Sequence, residues 1–221
     1  MSSIISIEGN IGSGKSTLLY YLKEHYKKNT HIIFLQEPIE EWEKIKDHEN
    51  KTILSKFYEN PCKYSFSFQM MAYISRLSQI QETIKQFPHS IIITERCLYT
   101  DRYVFAKMLY DSHKMEEIEY AIYLKWFDYF LPTHTIHQNI YLCADPTICF
   151  ERIQHRNRTG ESSITLEYLI MCHQYHEEMI KSLQTEKNIS LKIDANKDSE
   201  KEPQLIQDWI QEIEEFIKKI E

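Results

Sequence analysis

At 221 residues with 42% hydrophobic content, the chain can bury a sizeable core and has the length of one compact domain. Its net charge of -7, with no long stripe of Lys and Arg, excludes the electrostatic footprint of DNA or RNA binding, so no nucleic-acid polymer is expected as a partner. No apolar run reaches the roughly 18 residues of a membrane span, so no membrane is expected, and five cysteines without CxxC pairing argue for reduced thiols in a cytoplasmic protein.

The first element is a strand: Ser3 to Glu8 is short, Ile-rich and ends at Gly9, and no basic-then-apolar leader segment stands before it. The chain has four glycines, and Gly9, Gly12 and Gly14 crowd into six residues ahead of a helical stretch from Lys15 to Lys28. A sequence so sparing with glycine concentrates it where the backbone takes an unusual path. Apolar runs follow at His31 to Gln36, Ser90 to Glu95 and Asn139 to Cys143, with a weaker one at Ile189 to Ile193. Between them, Pro61 to Phe87 predicts a long helix with Pro61 in its first turn and Pro88 just past its end. Met115 to Leu131 predicts another, stopped by Pro132, and Gln204 to Ile220 closes the chain as an amphipathic helix. Strands separated by long, largely helical crossovers predict an α/β fold: a parallel five-stranded sheet of the phosphate-loop NTPase type with helices on both faces. Strand order does not follow from the pattern. Neither a repeat nor a linker interrupts residues 1–221, so one domain is expected.

Gly9-Asn10-Ile11-Gly12-Ser13-Gly14-Lys15-Ser16 matches GxxxxGK[ST] in full, with Thr17 behind it, and lies between a predicted strand and a predicted helix as that motif requires. Backbone N–H groups there converge on phosphate oxygens at a helix N-terminus, Lys15 offsets charge on the outer phosphates, and the Ser16 hydroxyl suits magnesium. A nucleoside triphosphate is the expected ligand. A GTPase is not: no DxxG segment exists, and Asn196-Lys197-Asp198 places its aspartate one position early for reading guanine.

Ligands gather at the carboxyl ends of the strands in open α/β sheets, so the residues there carry the rest. Glu37, followed by Pro38, ends the second strand and can take a proton from an attacking hydroxyl; a solvated acid at a helix start, as expected of Glu40, Glu41 and Glu43, is the alternative. Glu95-Arg96 ends the third. Glu95 can hold magnesium and Arg96 can steady the transferring group, with a surface ion pair as the alternative. Arg152, Arg156 and Arg158 end a helical stretch and, over about 152–162, can close on phosphates as an arginine-rich lid, because the guanidinium fork donates to them in pairs, with a solvated cationic helix end as the alternative.

With these residues in hand, the chain resembles the deoxyribonucleoside kinases, the family containing deoxycytidine, deoxyguanosine and mitochondrial thymidine kinases and the insect multisubstrate enzyme. The likeness runs end to end. It rests on Glu8-Gly9-Asn10-Ile11, Glu37-Pro38 with Trp42, Phe68-Gln69, Glu95-Arg96, Asp101-Arg102-Tyr103, the lid arginines and Leu166-Glu167-Tyr168-Leu169. The resemblance implies transfer of the γ-phosphate of ATP, or another NTP, to the 5′-hydroxyl of a deoxynucleoside, with Mg2+ at Ser16 and Glu95. It implies Glu37 as general base, Arg96 near the acceptor oxygen and Lys15 on the donor, although other descriptions of the family give the proton to the acid at Glu95. Gln69 is then expected to read the base edge, Tyr58 and Glu161 to hold the 3′-hydroxyl, Phe105 to pack on the base, and Trp42, Phe57 and Phe68 to line the pocket. Each aromatic alone would be ordinary core.

Arg76 and Asp101 together look like the deoxycytidine and deoxyguanosine branch. An ionised Asp accepts from an exocyclic amino group and would stand unpaired against thymine O4, a loss of about 1 to 3 kcal/mol. Family members are typically dimers built across helices, so a homodimer is expected. Met115 to Leu131 has the side chains for it, although Tyr120, Tyr123, Trp126 and Phe127 suit an internal core equally.

The chain departs from the family at Cys97, where serine is usual, at Gly160, where an acid is frequent, and at Lys197 to Ser199, which lacks an acidic and aromatic pair around adenine. A lost hydroxyl contact, a looser lid and weak contact with the donor base are the expectations. A thymidylate-type monophosphate kinase shares the phosphate loop and an Asp-Arg segment, but it needs further arginines for the acceptor's phosphate, which Glu37 would repel. A non-enzymatic nucleotide-binding module would have no use for Glu37, Glu95 and Arg96 on one sheet edge.

Overall fold

Alternation of isoleucines sets the sheet. In β1 (Ser3–Glu8), Ile5 and Ile7 join one buried apolar cluster and Ile4 joins another; in β3 (Ile91–Glu95), Ile91 and Ile93 join the first and Ile92 the second. Strands buried on both faces belong at the centre of a parallel sheet. The computed structural model, which describes residues 2–130, 138–156, 161–184, 189–197 and 202–219, places both there. With β2 (Ile32–Leu35), β4 (Gln138–Cys143) and β5 (Ile189–Asp194), the order is β2-β3-β1-β4-β5, parallel throughout. The edge strand β5 is largely exposed, which is why its apolar run is the weakest in the sequence.

Helices cover both faces, as expected. Leu18 and Leu22 of α1 (Lys15–His25), Cys149 and Ile153 of α7 (Pro146–Arg156) and Ile206, Ile210 and Ile213 of α9 (Pro203–Lys218) pack into the first cluster. Tyr73, Leu77 and Ile80 of α4 (Pro61–Gln86) and Tyr123 and Phe127 of α6 (Glu117–Phe130) pack into the second. Asn60 starts α4 by accepting a hydrogen bond from the Lys63 N–H, with Pro61 in the first turn. Helix α1 stops at His25, short of the expected Lys28, because Tyr26 to Asn29 turn back toward β2. Helix α6 begins two residues after the expected Met115, which is 3% exposed and fills the core from the preceding loop. Leu131, Pro132 and Ile220 lie outside the described residues.

The topology decides where ligands go. β1 sits between β3 and β4, so the chain leaving it enters the crevice where connections diverge to the two halves of the sheet. The ends of β2 and β3 open beside it. Above them α2 (Ile39–Lys44), α3 (Ile53–Glu59) and α4 build a third apolar cluster around Trp42, Phe57 and Phe68.

Candidate active site

The turn after β1 is where glycine is indispensable. At Gly9 (φ +144°) an added Cβ would stand 2.5 Å from the Leu142 carbonyl oxygen, and at Gly12 (φ +80°) 2.5 Å from that of Cys149. Asn10 ties the loop down: its Nδ2 donates to Leu169 O (2.9 Å), its Oδ1 accepts from Ile11 N–H (2.9 Å) and its backbone oxygen from Lys15 Nζ (2.7 Å). The loop ends at Gly14, which caps α1 without a side chain and leaves the first-turn N–H groups for an anion. Burial, reinforced by the nearby Arg96 charge, pulls the Lys15 ammonium down to about 7.

At the far end of the loop Ser16 Oγ donates to Glu95 Oε1 at 2.6 Å. Hard oxygens of this kind are the donor set that magnesium takes. Behind them lies a buried guanidinium, Arg76, 1% exposed. Its Nε donates to Asp101 Oδ2 (2.9 Å), Nη1 to the Glu95 carbonyl (2.7 Å) and Nη2 to Glu37 Oε1 (2.8 Å), so one side chain from α4 joins the ends of β2 and β3 to the π-helical segment Thr100–Ala106. That segment runs directly into α5 (Lys107–Asp111).

Arg96 holds a left-handed backbone (φ 62°), which costs a non-glycine residue about 1 to 3 kcal/mol. Its Nη1 donates to Gly9 O (2.9 Å), its Nε lies 3.4 Å from Glu37 Oε1, and its guanidinium stands 4.9 Å from the centre of the Phe105 ring. Burial alone would raise the Glu37 carboxyl, but the Arg96, Arg76 and Lys15 charges outweigh it and hold it below the usual range. Asp101 goes the other way: burial pushes it up to about 6 against the pull of Arg76. Both are ionised at neutral pH.

These groups open on one cavity of about 890 Å³, lined on one side by Ile11 to Thr17. Its apolar wall is built from α2, α3 and α4, where Phe68 meets Trp42 edge-on (5.4 Å) and stacks on Phe57 (4.8 Å), with Trp42 Nε1 donating to Ser75 Oγ at 2.9 Å. Set in that wall is Gln69, 2% exposed, whose Oε1 has no partner among the described residues. A buried amide oxygen left open is costly unless a ligand fills it. Phe105, Tyr58 and Glu161 line the same cavity, and burial raises the Tyr58 hydroxyl far enough to keep it protonated. Arg156 grips Glu161 with two nitrogens, at 2.7 and 3.1 Å, and Arg152 donates to Ser13 O (3.5 Å) and Lys197 O (2.8 Å). Arg158 and Gly160 lie outside the described residues, as do Asp198 and Ser199.

One expectation changes. Cys97 is 1% exposed and turned into the core, its Sγ 3.7 Å from Thr100 Oγ1, which in turn donates to Glu8, so serine's absence there costs the cavity no hydroxyl. In the Asp-Arg segment only Asp101 faces the cavity; Arg102 pairs with Asp128 and covers the Phe127 ring on α6. Glu40, Glu41 and Glu43 are exposed, as expected.

Sequence reasoning missed His176. It lies on α8 (Leu166–Leu183), fully buried on the stripe of Leu169, Cys172 and Met179, with Nε2 3.3 Å from Arg96 Nη1. A polar residue on an apolar stripe was the available signal, and a core histidine satisfied by its own helix gives the same one. A second cluster, Cys143, His173 and Glu177, brings its ligand atoms within 4.8 Å of one another outside the cavity, but Lys192 Nζ already stands 3.2 Å from Glu177 and supplies the cation.

The family described as deoxynucleoside kinase matches residues 5–218. Mitochondrial deoxyguanosine kinase of Xenopus laevis is 34% identical over 201 residues, covering 82% of this chain and 74% of the relative. Deoxycytidine kinase of Homo sapiens is 35% identical over 193 residues, covering 78% and 73%. Mitochondrial thymidine kinase 2 of Macaca fascicularis is 33% identical over 180 residues, covering 80% and 64%.

Proposed function

This chain belongs to the deoxynucleoside kinase family and phosphorylates deoxynucleosides with ATP as donor, and from that premise we propose that its acceptors are deoxycytidine and the purine deoxynucleosides, handled with magnesium and with Glu37 as the proton acceptor. Identities of 34, 35 and 33% to deoxyguanosine, deoxycytidine and thymidine kinases do not choose the base. The choice rests on one observation: Asp101, ionised and held by Arg76, lines the same cavity as Gln69 with its unfilled Oε1. Each carboxylate oxygen keeps a lone pair beyond the one Arg76 uses. An exocyclic amino group can fill it; thymine O4 cannot.

Phosphoryl transfer asks the protein mainly for position and charge. The loop N–H groups and Lys15 hold the triphosphate, Arg96 faces the transferring group, and Tyr58 and Glu161 take the 3′-hydroxyl. Glu37, between the two arginines and ionised, receives the 5′-proton as the bond to phosphorus forms; its low basicity suffices because a loose transition state needs little deprotonation in advance. Magnesium held by Ser16 and Glu95 would offset charge on the outer phosphates. A monophosphate acceptor is disfavoured, because Arg102 is turned away and Glu37 would face the extra phosphate. Turnover of each of the four deoxynucleosides and of thymidylate, with ATP and magnesium, tests this. Preference for thymidine or thymidylate would overturn the base assignment.

Residues 1–221 act as one domain, and five free thiols suit a reducing, cytoplasmic compartment. We read the chain as a homodimer. On α6 the four ambiguous aromatics divide: Tyr123 and Phe127 are core and Tyr120 is half-buried, stacked on Tyr110, whereas Trp126, with Ile118, Ile122 and Tyr129, forms an exposed apolar stripe at spacings of four, four and three. Ile122→Glu with Trp126→Glu should give a monomer in sedimentation equilibrium. A wild-type monomer would refute the dimer.

A further inference from the structure

His176 takes no part in the chemistry described above, yet it touches the residue on which that chemistry depends. Its ring is fully buried in α8. Nδ1 lies 2.6 Å from the Cys172 carbonyl oxygen, which can only accept, so Nδ1 carries the proton. Nε2 lies 3.3 Å from Arg96 Nη1, a guanidinium nitrogen that can only donate, so Nε2 offers its lone pair. The two neighbours together select one neutral tautomer and leave no room for the imidazolium. Burial and the Arg96 charge push in the same direction, holding the ring well below the usual histidine pKa. The ring is fixed in turn against Phe105, edge to face at 6.1 Å, and Phe105 is also the surface under the Arg96 guanidinium.

The donor count on Arg96 shows what this contact does. Nη1 has two hydrogens, and Gly9 O (2.9 Å) and His176 Nε2 take them both. Nε faces Glu37. Both Nη2 hydrogens are left with no partner among the described residues, on a guanidinium that lines the cavity. Without an acceptor at Nε2, one Nη1 hydrogen would be buried and unpaired, and the guanidinium would gain by rotating about its Cδ–Nε bond to find another partner.

We propose that His176, neutral and protonated on Nδ1, is the positioning residue that holds the Arg96 guanidinium with its Nη2 edge toward the transferring phosphoryl group. The proposal rests on Arg96 facing that group, as put forward above. His176 touches neither substrate nor donor; it acts through Arg96. Transfer is sensitive to this because a misplacement of about 1 Å costs on the order of 100-fold in rate.

Two substitutions separate positioning from packing. His176→Phe keeps a planar ring but removes the acceptor, whereas His176→Gln places an amide oxygen near the Nε2 position. With folding monitored by thermal denaturation, His176→Phe should lower kcat roughly 10- to 100-fold with little change in KM for ATP, and His176→Gln should recover most of the loss. In an Arg96→Met background His176→Phe should cost nothing further. Equal losses in Phe and Gln variants, or full additivity with Arg96→Met, would overturn the proposal. A readout without turnover keeps it separate from the functional reading: nitrogen-15 NMR of His176 should show Nδ1–H with a hydrogen-bonded, unprotonated Nε2, and the Nε2 shift should move in Arg96→Met. If the wild type phosphorylates no deoxynucleoside, the functional reading fails, and the NMR arm still decides whether His176 holds Arg96.

Discussion

The two ends of the cavity are made in opposite ways. The donor end is one continuous stretch, Gly9 to Thr17, in which backbone N–H groups and glycine geometry do the binding. The acceptor end is assembled from Glu37, Gln69, Arg76, Arg96 and Asp101, drawn from four separate segments and held by charge pairs around Arg76. Recognition by backbone is local and independent of the acceptor, whereas recognition by paired side chains is distributed and tunable. Changes at the donor end should therefore affect every nucleoside alike, as should loss of Glu37, which meets the hydroxyl common to all acceptors, whereas changes at Gln69, Arg76 and Asp101 should redistribute preference among them.

The strongest way to break that contrast is Glu37→Gln. The amide keeps the shape and can still accept from Arg76, but it cannot take a proton. We expect kcat to fall about 10²- to 10⁴-fold for all acceptors, with ATP affinity changed only a few-fold. Rapid-quench turnover and ATP titration measure the two. A preserved kcat would move the proton acceptor to Glu95.

Arg76 sharpens the acceptor side. Arg76→Met strands the buried Asp101 carboxylate and should cost about 3 to 5 kcal/mol of stability. Adding Asp101→Ala removes the stranded charge, so the double variant should melt higher than the single one, and its kcat/KM for thymidine relative to deoxycytidine should rise by about 1 to 3 kcal/mol. A double variant less stable than Arg76→Met, or an unchanged substrate profile, would mean that the pair does not set base preference.

The same contrast governs what was legible in the sequence. The phosphate loop could be read because its function follows from residue order, and the central strands because Ile4, Ile5 and Ile7 are apolar on both faces. Glu37 and Glu95-Arg96 could be placed at the cavity because strand ends in an α/β sheet share one edge. Arg76 could be grouped with Asp101 through the resemblance, but not recognised as the hub that also binds Glu37 and the Glu95 carbonyl, because that needs the β2-β3 adjacency that periodicity leaves open. His176, Arg102 and Cys97 depended on which way a side chain turns, and each carries the same local pattern whether it faces the cavity or the core.

Lys15 gives the donor end its own test. Its ammonium, lowered to about 7 by burial and by Arg96, is partly neutral in the free protein at neutral pH, whereas bound phosphate favours the charged form. Binding should therefore take up a proton above pH 7. ATP affinity should decline by up to about tenfold per pH unit as pH rises beyond that point, until the raised pKa of the complex is reached. The terminal phosphate, with a pKa of about 6, is already ionised there and contributes little. Calorimetry in buffers of different ionisation enthalpy measures the uptake directly; binding without proton exchange between about pH 7.5 and 9 would place Lys15 as fully charged from the start.

The smallest effect expected is the most specific to the acceptor end. Asp101, pushed up to about 6, changes from acceptor to donor as pH falls through that value. Above it the carboxylate accepts from the amino group of cytosine or adenine; below it the carboxyl hydrogen can be given to thymine O4. Because kcat/KM reports the free enzyme, the ratio of deoxycytidine to thymidine kcat/KM should be flat at high pH and drop a few-fold between about pH 7 and 5.5. Glu37, held below the usual range by Arg96, Arg76 and Lys15, does not titrate in that window and affects both substrates equally. Asp101→Asn offers both an acceptor and a donor at every pH, so its ratio should be low and independent of pH. A wild-type ratio that does not change with pH, or a slope that survives in Asp101→Asn, would remove Asp101 from base recognition and leave Gln69 to carry it alone.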